Sequence, residues 1–122
     1  MPIVDVVLVG ETDRDRRGIS ARRLADALGD ALGSPTGRTW VRLRVLGSDD
    51  YAENGTDPAP SEWPVFVTLL HARRPVDEAL RAEIAAVTAA VAACTGRAPS
   101  RVHVEYAPAG AGRLALGGQL VP

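Results

Sequence analysis

The chain has 122 residues, is 46% hydrophobic and carries a formal net charge of −1. That fits one globular domain long enough to bury a core, and near-neutrality argues against nucleic acid or an anionic membrane as the main partner. No apolar run approaches the ~18 residues that would span a bilayer.

All 14 basic residues are arginine, so every cation is a planar fork suited to carboxylates. A lone cysteine, Cys94, excludes an internal disulfide framework and fits a reducing compartment. The N-terminus lacks the basic-then-apolar layout of a signal peptide, which leaves the cytoplasm as the expected location.

Ile3 to Val9 is β-branched and almost uniformly apolar, the pattern of a strand covered on both faces. It opens with Pro2. Inside a chain a proline nitrogen is an amide without basicity. Once Met1 is removed it becomes a secondary amine, and burial lowers such an amine toward neutrality by disfavouring its charged form. A group of that kind exchanges protons near pH 7. The bland alternative is a proline that merely starts a sheet edge.

Gly10 to Asp13 is a turn into a helix, with Thr12 or Asp13 as the expected N-cap. From about Arg14 to Leu32, Ala21, Leu24, Ala25, Leu28, Ala31 and Leu32 recur at helical spacing, predicting one amphipathic helix. Gly33 to Gly37 stops it. Thr39 to Leu46 alternates, with Val41, Leu43 and Val45 on one side and Trp40, Arg42 and Arg44 on the other, as in a strand with one polar, aromatic face. Gly47 to Trp63 reads as a long loop or small hairpin around Tyr51, of a length that often carries function.

Val65 to His71 is a third apolar strand. Arg73-Arg74-Pro75 opens a second helix, with Asp77 and Glu78 suited to its positive end. Its stripe is Val76, Leu80, Ile84, Val87, Val91 and Cys94, with Cys94 expected in the core. Val102 to Tyr106 alternates as a fourth strand, and Gly110 to Val121 is a glycine-rich tail with room for one short strand. His71 and His103 lack metal-ligand spacing, so no metal site is expected.

The element order is βαβ twice. Pro2-Ile3-Val4 aligns with Pro64-Val65-Phe66, and Pro35 with Pro99, at a nearly constant offset. A duplicated βαβ unit accounts for this, in a single domain over 1–122 with halves about 1–62 and 63–122. The expected fold class is α+β: each crossover right-handed, each strand pair parallel, and two helices on one face of a four-stranded sheet. The other face, with Trp40 and Arg42, then needs a partner.

This ordered set resembles the tautomerase superfamily, which includes 4-oxalocrotonate tautomerase, 5-carboxymethyl-2-hydroxymuconate isomerase and macrophage migration inhibitory factor. The resemblance spans essentially the whole chain. It rests on Met-Pro leading into an apolar strand and on the βαβ duplication. Gly33-Ser34-Pro35 through Trp40-Val41-Arg42-Leu43 to Tyr51-Ala52-Glu53-Asn54-Gly55, and Pro99-Ser100-Arg101-Val102-His103-Val104-Glu105-Tyr106 with the Gly117-Gly118 tail, carry the rest.

The resemblance implies a homotrimer with each site near an N-terminal proline between subunits, here Pro2. It also implies proton transfer on a small keto or enol acid with no metal and no organic cofactor. Arginine and aromatic side chains would fix carboxylates and stabilise the dienolate. The candidates are Trp40, Arg42, Tyr51, Arg73 and Arg74, with His103 and Glu105 as further strand residues that could reach a substrate or a water.

Two departures bear on substrate. Glu11 stands where the dicarboxylate-handling members place an arginine after the first-strand glycine, and Trp40 stands where they place the second-strand arginine. Two further functions stay open: dehalogenation or decarboxylation within the superfamily, with a cationic Pro2 as acid and Glu105 activating water, and a non-catalytic ferredoxin-like module, whose sheet would be mainly antiparallel.

Overall fold

The computed structural model describes residues 2–122; Met1, and with it the question of its removal, lies outside the described residues. Strand β1 (Pro2–Gly10) is followed by helices α1 (Thr12–Gly18) and α2 (Ala21–Ala31) and strand β2 (Trp40–Gly47). The second half holds β3 (Val65–His71), α3 (Asp77–Thr95) and β4 (Val102–Tyr106), then a hairpin of β5 (Ala115–Leu116) and β6 (Gln119–Leu120).

The main sheet has the order β2-β1-β3-β4. β1 runs parallel to β2, and β3 runs parallel to β4. One antiparallel pairing joins the halves, with Pro2 opposite His71 and Val6 opposite Val67. Each parallel pair needs a helical crossover, because a short turn cannot return the chain to the same end of the sheet. The ferredoxin-like alternative, with its mainly antiparallel sheet, is overturned by these two parallel pairs.

Strand alternation divides the sheet faces. Val4, Val6 and Leu8 of β1 and Val65, Val67 and Leu69 of β3 point to the helices, where they cluster with Leu24, Leu28, Val87, Val91 and Val102. Six of the strand residues in that cluster are at most 1% exposed, so the core lies between the helices and the central strand pair. Ile3, Asp5 and Val7 alternate to the opposite face, which no helix among the described residues covers; there Trp40 is 39% and Phe66 38% exposed. Val41, Leu43 and Val45 pack against the core only partly buried, as expected of an edge strand.

The single helix expected from Arg14 to Leu32 is two. Ile19 and Ser20 are extended, and the Ser20 side chain accepts the Arg23 backbone N–H at 3.1 Å to cap α2. The apolar stripe in fact begins at Ala21, while α1 has no buried residue. Neither Thr12 nor Asp13 caps α1. Glu11 occupies the cap, and its N–H donates to Asp15 Oδ2 at 2.7 Å. Gly10 makes room for this: a Cβ there would stand 2.1 Å from the same oxygen.

Helix α3 starts at Asp77, with Val76 as its cap, and stops at Gly96, whose φ of 71° forms a left-handed cap. Val87, Val91, Ala92 and Thr95 of α3 are buried, whereas Val76 and Ile84, from the first half of the expected stripe, are exposed. Cys94 is half-buried against the core rather than within it. The tail forms two short strands where one was expected, with Val121 N–H donating to Leu114 O at 2.8 Å.

Candidate functional site

The first residue of β1 and the last of β3 face each other, so Pro2 and His71 share one end of the sheet. Pro2 is buried there. Beside it is a cleft of about 270 Å³ lined by Pro2, the Leu32–Pro35 turn, His71, Ala72 and Arg73. The turn after α2 closes one side, and Gly33 supplies its sharp bend with a φ of 61°. Arg73 brings a cation to the cleft, and its Nη2 donates to the Pro122 main-chain oxygen at 2.8 Å. Arg74 lines an adjoining hollow with Tyr106, Ala107, Pro108 and Ala109.

A larger hollow of about 460 Å³ runs between α2 and the 34–39 segment. In it Arg22 Nε pairs with Asp26 at 3.1 Å. The smaller cleft has both Pro2 and Arg73 in its lining and is the candidate site.

The other sequence candidates do not converge on Pro2 within one chain. Trp40 donates from Nε1 to Gly37 O at 3.0 Å at the start of β2. Arg42 forks onto Asp5 across the open face, Nε to Oδ1 at 2.6 Å and Nη2 to Oδ2 at 2.8 Å. That hydrogen bond, then the Asp5 charge, raises the guanidinium pKa. His103 sits 5.6 Å from the Phe66 ring, and Thr68 Oγ1 approaches Glu105 at 3.5 Å, both on exposed positions of β4. By strand alternation they lie on the face opposite Pro2.

Tyr51 lies 6.1 Å from Phe66 and gives its hydroxyl proton to Glu53, a bond that raises the Tyr51 pKa. The Tyr51 hydroxyl, then Arg101, hold the Glu53 carboxyl down to about 2. The long loop is thereby pinned to the segment before β4, where Arg101 also donates to Glu62 O.

Sequence reasoning passed over Glu83 and Tyr106 and weighed His71 only as a metal ligand. His71 Nε2 stands 2.9 Å from Glu83 Oε2, and Tyr106 Oη donates to the same oxygen at 2.6 Å. The His71 and Tyr106 rings stack with centroids 6.1 Å apart and planes 17° apart. Burial first, and the Glu83 bond second, push the Tyr106 phenol pKa up, so it remains a donor. The clue available beforehand was register: if Pro2 opens β1 and the halves pair antiparallel, the end of β3 falls beside it. Glu83 leaves no comparable trace, because a glutamate on a helix is ordinarily a solvated residue.

No protein-family model matches the sequence, and no curated protein matches it. Solved structures do. A fused 4-OT described as a wild-type symmetric trimer superposes with a TM-score of 0.75 at 20% identity, covering 98% of this chain and 94% of its own. Native fused 4-OT gives 0.71 at 25% identity over 98% and 95%. Malonate semialdehyde decarboxylase FG41, inhibited by 3-bromopropiolate, gives 0.66 at 21% over 94% and 90%. Macrophage migration inhibitory factor of Toxoplasma gondii gives 0.63 at 17% over 94% and 96%. These neighbours are all tautomerase-superfamily proteins, and two parallel βαβ halves joined back to back through β1 and β3 are the architecture this chain has in common with them: it has the tautomerase-superfamily fold.

Proposed function

We propose that the chain is a cofactor-free tautomerase or isomerase in which Pro2, exposed as the mature N-terminus, moves a proton between carbon and oxygen of a small 2-keto or 2-hydroxy unsaturated acid. The observation that carries this reading is the burial of Pro2 beside a cleft that also holds Arg73. In that setting a secondary amine loses hydration and faces a cation; both effects disfavour its charged form and move it toward neutrality. In this reading Arg73 meets the substrate carboxylate by a charge-assisted bond, anchoring the acid while its α-carbon reacts at the ring nitrogen.

Two similarities support the substrate class. A neighbour matched at a TM-score of 0.74 and 21% identity was inactivated by 2-oxo-3-pentynoate, a small unsaturated 2-keto acid. The decarboxylase was inhibited by another small acid. In the same reading the open sheet face, with Trp40, Arg42, Phe66, His103 and Glu105, is where copies of the chain meet in a homotrimer, and those residues and Tyr51 reach a neighbouring copy's site. Proteins described as trimers match over 98% of this chain, and an aromatic, charged face without a helix needs a cover.

The test is direct. The intact mass of purified protein should begin at Pro2. Ketonisation of phenylpyruvate enol or 2-hydroxymuconate should then fall by about 10²–10⁴-fold in Pro2→Ala. Equal rates in the two proteins would remove Pro2 from the chemistry.

A further inference from the structure

A tautomerisation has two ends. One proton joins or leaves carbon, and another leaves or joins oxygen. In the reading above Pro2 serves both ends; a second group in the same cleft would divide the work.

His71 is the direct antiparallel partner of Pro2. Opposite residues of a ladder send their side chains to the same face with Cβ atoms about 5 Å apart. His71 also lines the cleft. Its ring has two partners: Nε2 stands 2.9 Å from Glu83 Oε2, and Tyr106 stacks on the ring while donating to the same carboxylate oxygen. His71 and Glu83 side chains are 15% and 13% exposed, so this pair is largely withdrawn from water.

An ionised carboxylate only accepts hydrogen bonds. Nε2 therefore carries the hydrogen, and Nδ1 of the neutral ring keeps its lone pair. The charged and titratable neighbours are Arg73 and Arg74 after β3, Tyr106 on β4, Glu83 on α3 and Pro2 on β1.

Resting on the Pro2 reading, we propose that His71 is the oxygen-side proton carrier of this cleft and that Glu83 is its positioning residue. In ketonisation the enol O–H bond breaks and its proton passes to His71 Nδ1. The oxygen pair forms the carbonyl, and the C=C pair takes a proton from the Pro2 ammonium to form the new C–H bond. The enzyme is left with a neutral Pro2 amine and a His71 imidazolium, and transfer of one proton between them through water restores the start. No electron is gained or lost.

The experiment follows phenylpyruvate enol ketonisation in wild type, His71→Gln, Glu83→Gln, the double variant and Pro2→Ala, with ¹⁵N NMR of the imidazole in the wild type. Glu83→Gln keeps the side-chain shape and removes the charge. It should lower kcat about tenfold or more with KM within about twofold, and Glu83→Asp should recover part of the loss. The double variant should be no worse than His71→Gln, because the two residues act as a unit. The nitrogen shifts should place the hydrogen of neutral His71 on Nε2.

Rates within about twofold of wild type in both single variants, or an Nδ1–H tautomer, would overturn the role of His71. If Pro2→Ala alone abolishes turnover in that case, the function proposed above survives without it. Full activity of Pro2→Ala would instead sink the underlying reading.

Discussion

Replacing Arg97 with methionine should destabilise the protein by about 3 kcal/mol. Arg97 follows the Gly96 cap, and its side chain is only 10% exposed. Its Nη1 donates to Val9 O at 2.8 Å and to Trp63 O at 2.7 Å, while Nη2 lies 3.9 Å from Asp15 Oδ2. One guanidinium thus ties the end of β1, the entry to β3 and the middle of α1 together. Burial lowers its pKa, partly offset by Asp15, yet an arginine remains charged throughout the accessible pH range.

A hydrogen bond to a charged group contributes about 1.5–3 kcal/mol, so two give roughly 3–6 kcal/mol before the desolvation of the cation is set against them. Methionine keeps the apolar stem and leaves two carbonyls without this donor, giving a net loss of about 2–4 kcal/mol. Lysine, a point donor on a similar stem, should lose about half as much because it cannot span both carbonyls in the fork geometry. Urea denaturation at one fixed protein concentration measures this, since assembly would make apparent stability concentration-dependent. Arg22→Ala is the control. Its pair with Asp26 is exposed on both sides and should contribute no more than about 0.5 kcal/mol. A loss below about 1 kcal/mol for Arg97→Met, at unchanged m-value, would refute the argument.

Ser20→Ala removes the side-chain cap of α2 and should cost about 1 kcal/mol, read from the shift of the urea midpoint, while Ser20→Gly should cost only a few tenths. The pH dependence of Glu53 has a definite sign. Its folded pKa is depressed to about 2, so its contribution is present above the unfolded carboxylate value and is lost as pH falls from about 4.5 toward 2. The thermal midpoints of wild type and Glu53→Gln should therefore differ at pH 7 and converge over that window; a constant gap would contradict the assignment. On the open face, Phe66→Asp should shift the mass measured by light scattering toward a single chain, because it places a charge at the centre of the aromatic patch proposed to be covered.

The strands were readable from the sequence because their signal is local. Val65–His71 and Val102–Tyr106 appear where the alternation and β-branched runs place them, and Gly96 ends α3 through its own left-handed φ. Parallel pairing within each half followed from the helix between its strands. The split of the first helix is also written in the sequence: the apolar stripe stops at Ala21 and Ser20 is a good cap, while Thr12–Gly18 forms a short, mostly charged helix with no buried residue.

Side-chain partnerships between distant segments were decided only by the tertiary structure. A sequence pattern reports which face a residue occupies, through periods of 2 and 3.6, and carries nothing about which residue of another element arrives opposite it. Pro2 could be singled out because an amino-terminal proline is chemically unusual by itself. That His71 would stand beside it, with Glu83 of α3 and Tyr106 of β4 behind, depended on the antiparallel register of β1 with β3 and on where α3 crosses the sheet. The reach of a hydrogen bond, about 3 Å, is far shorter than any distance that hydrophobic periodicity can specify.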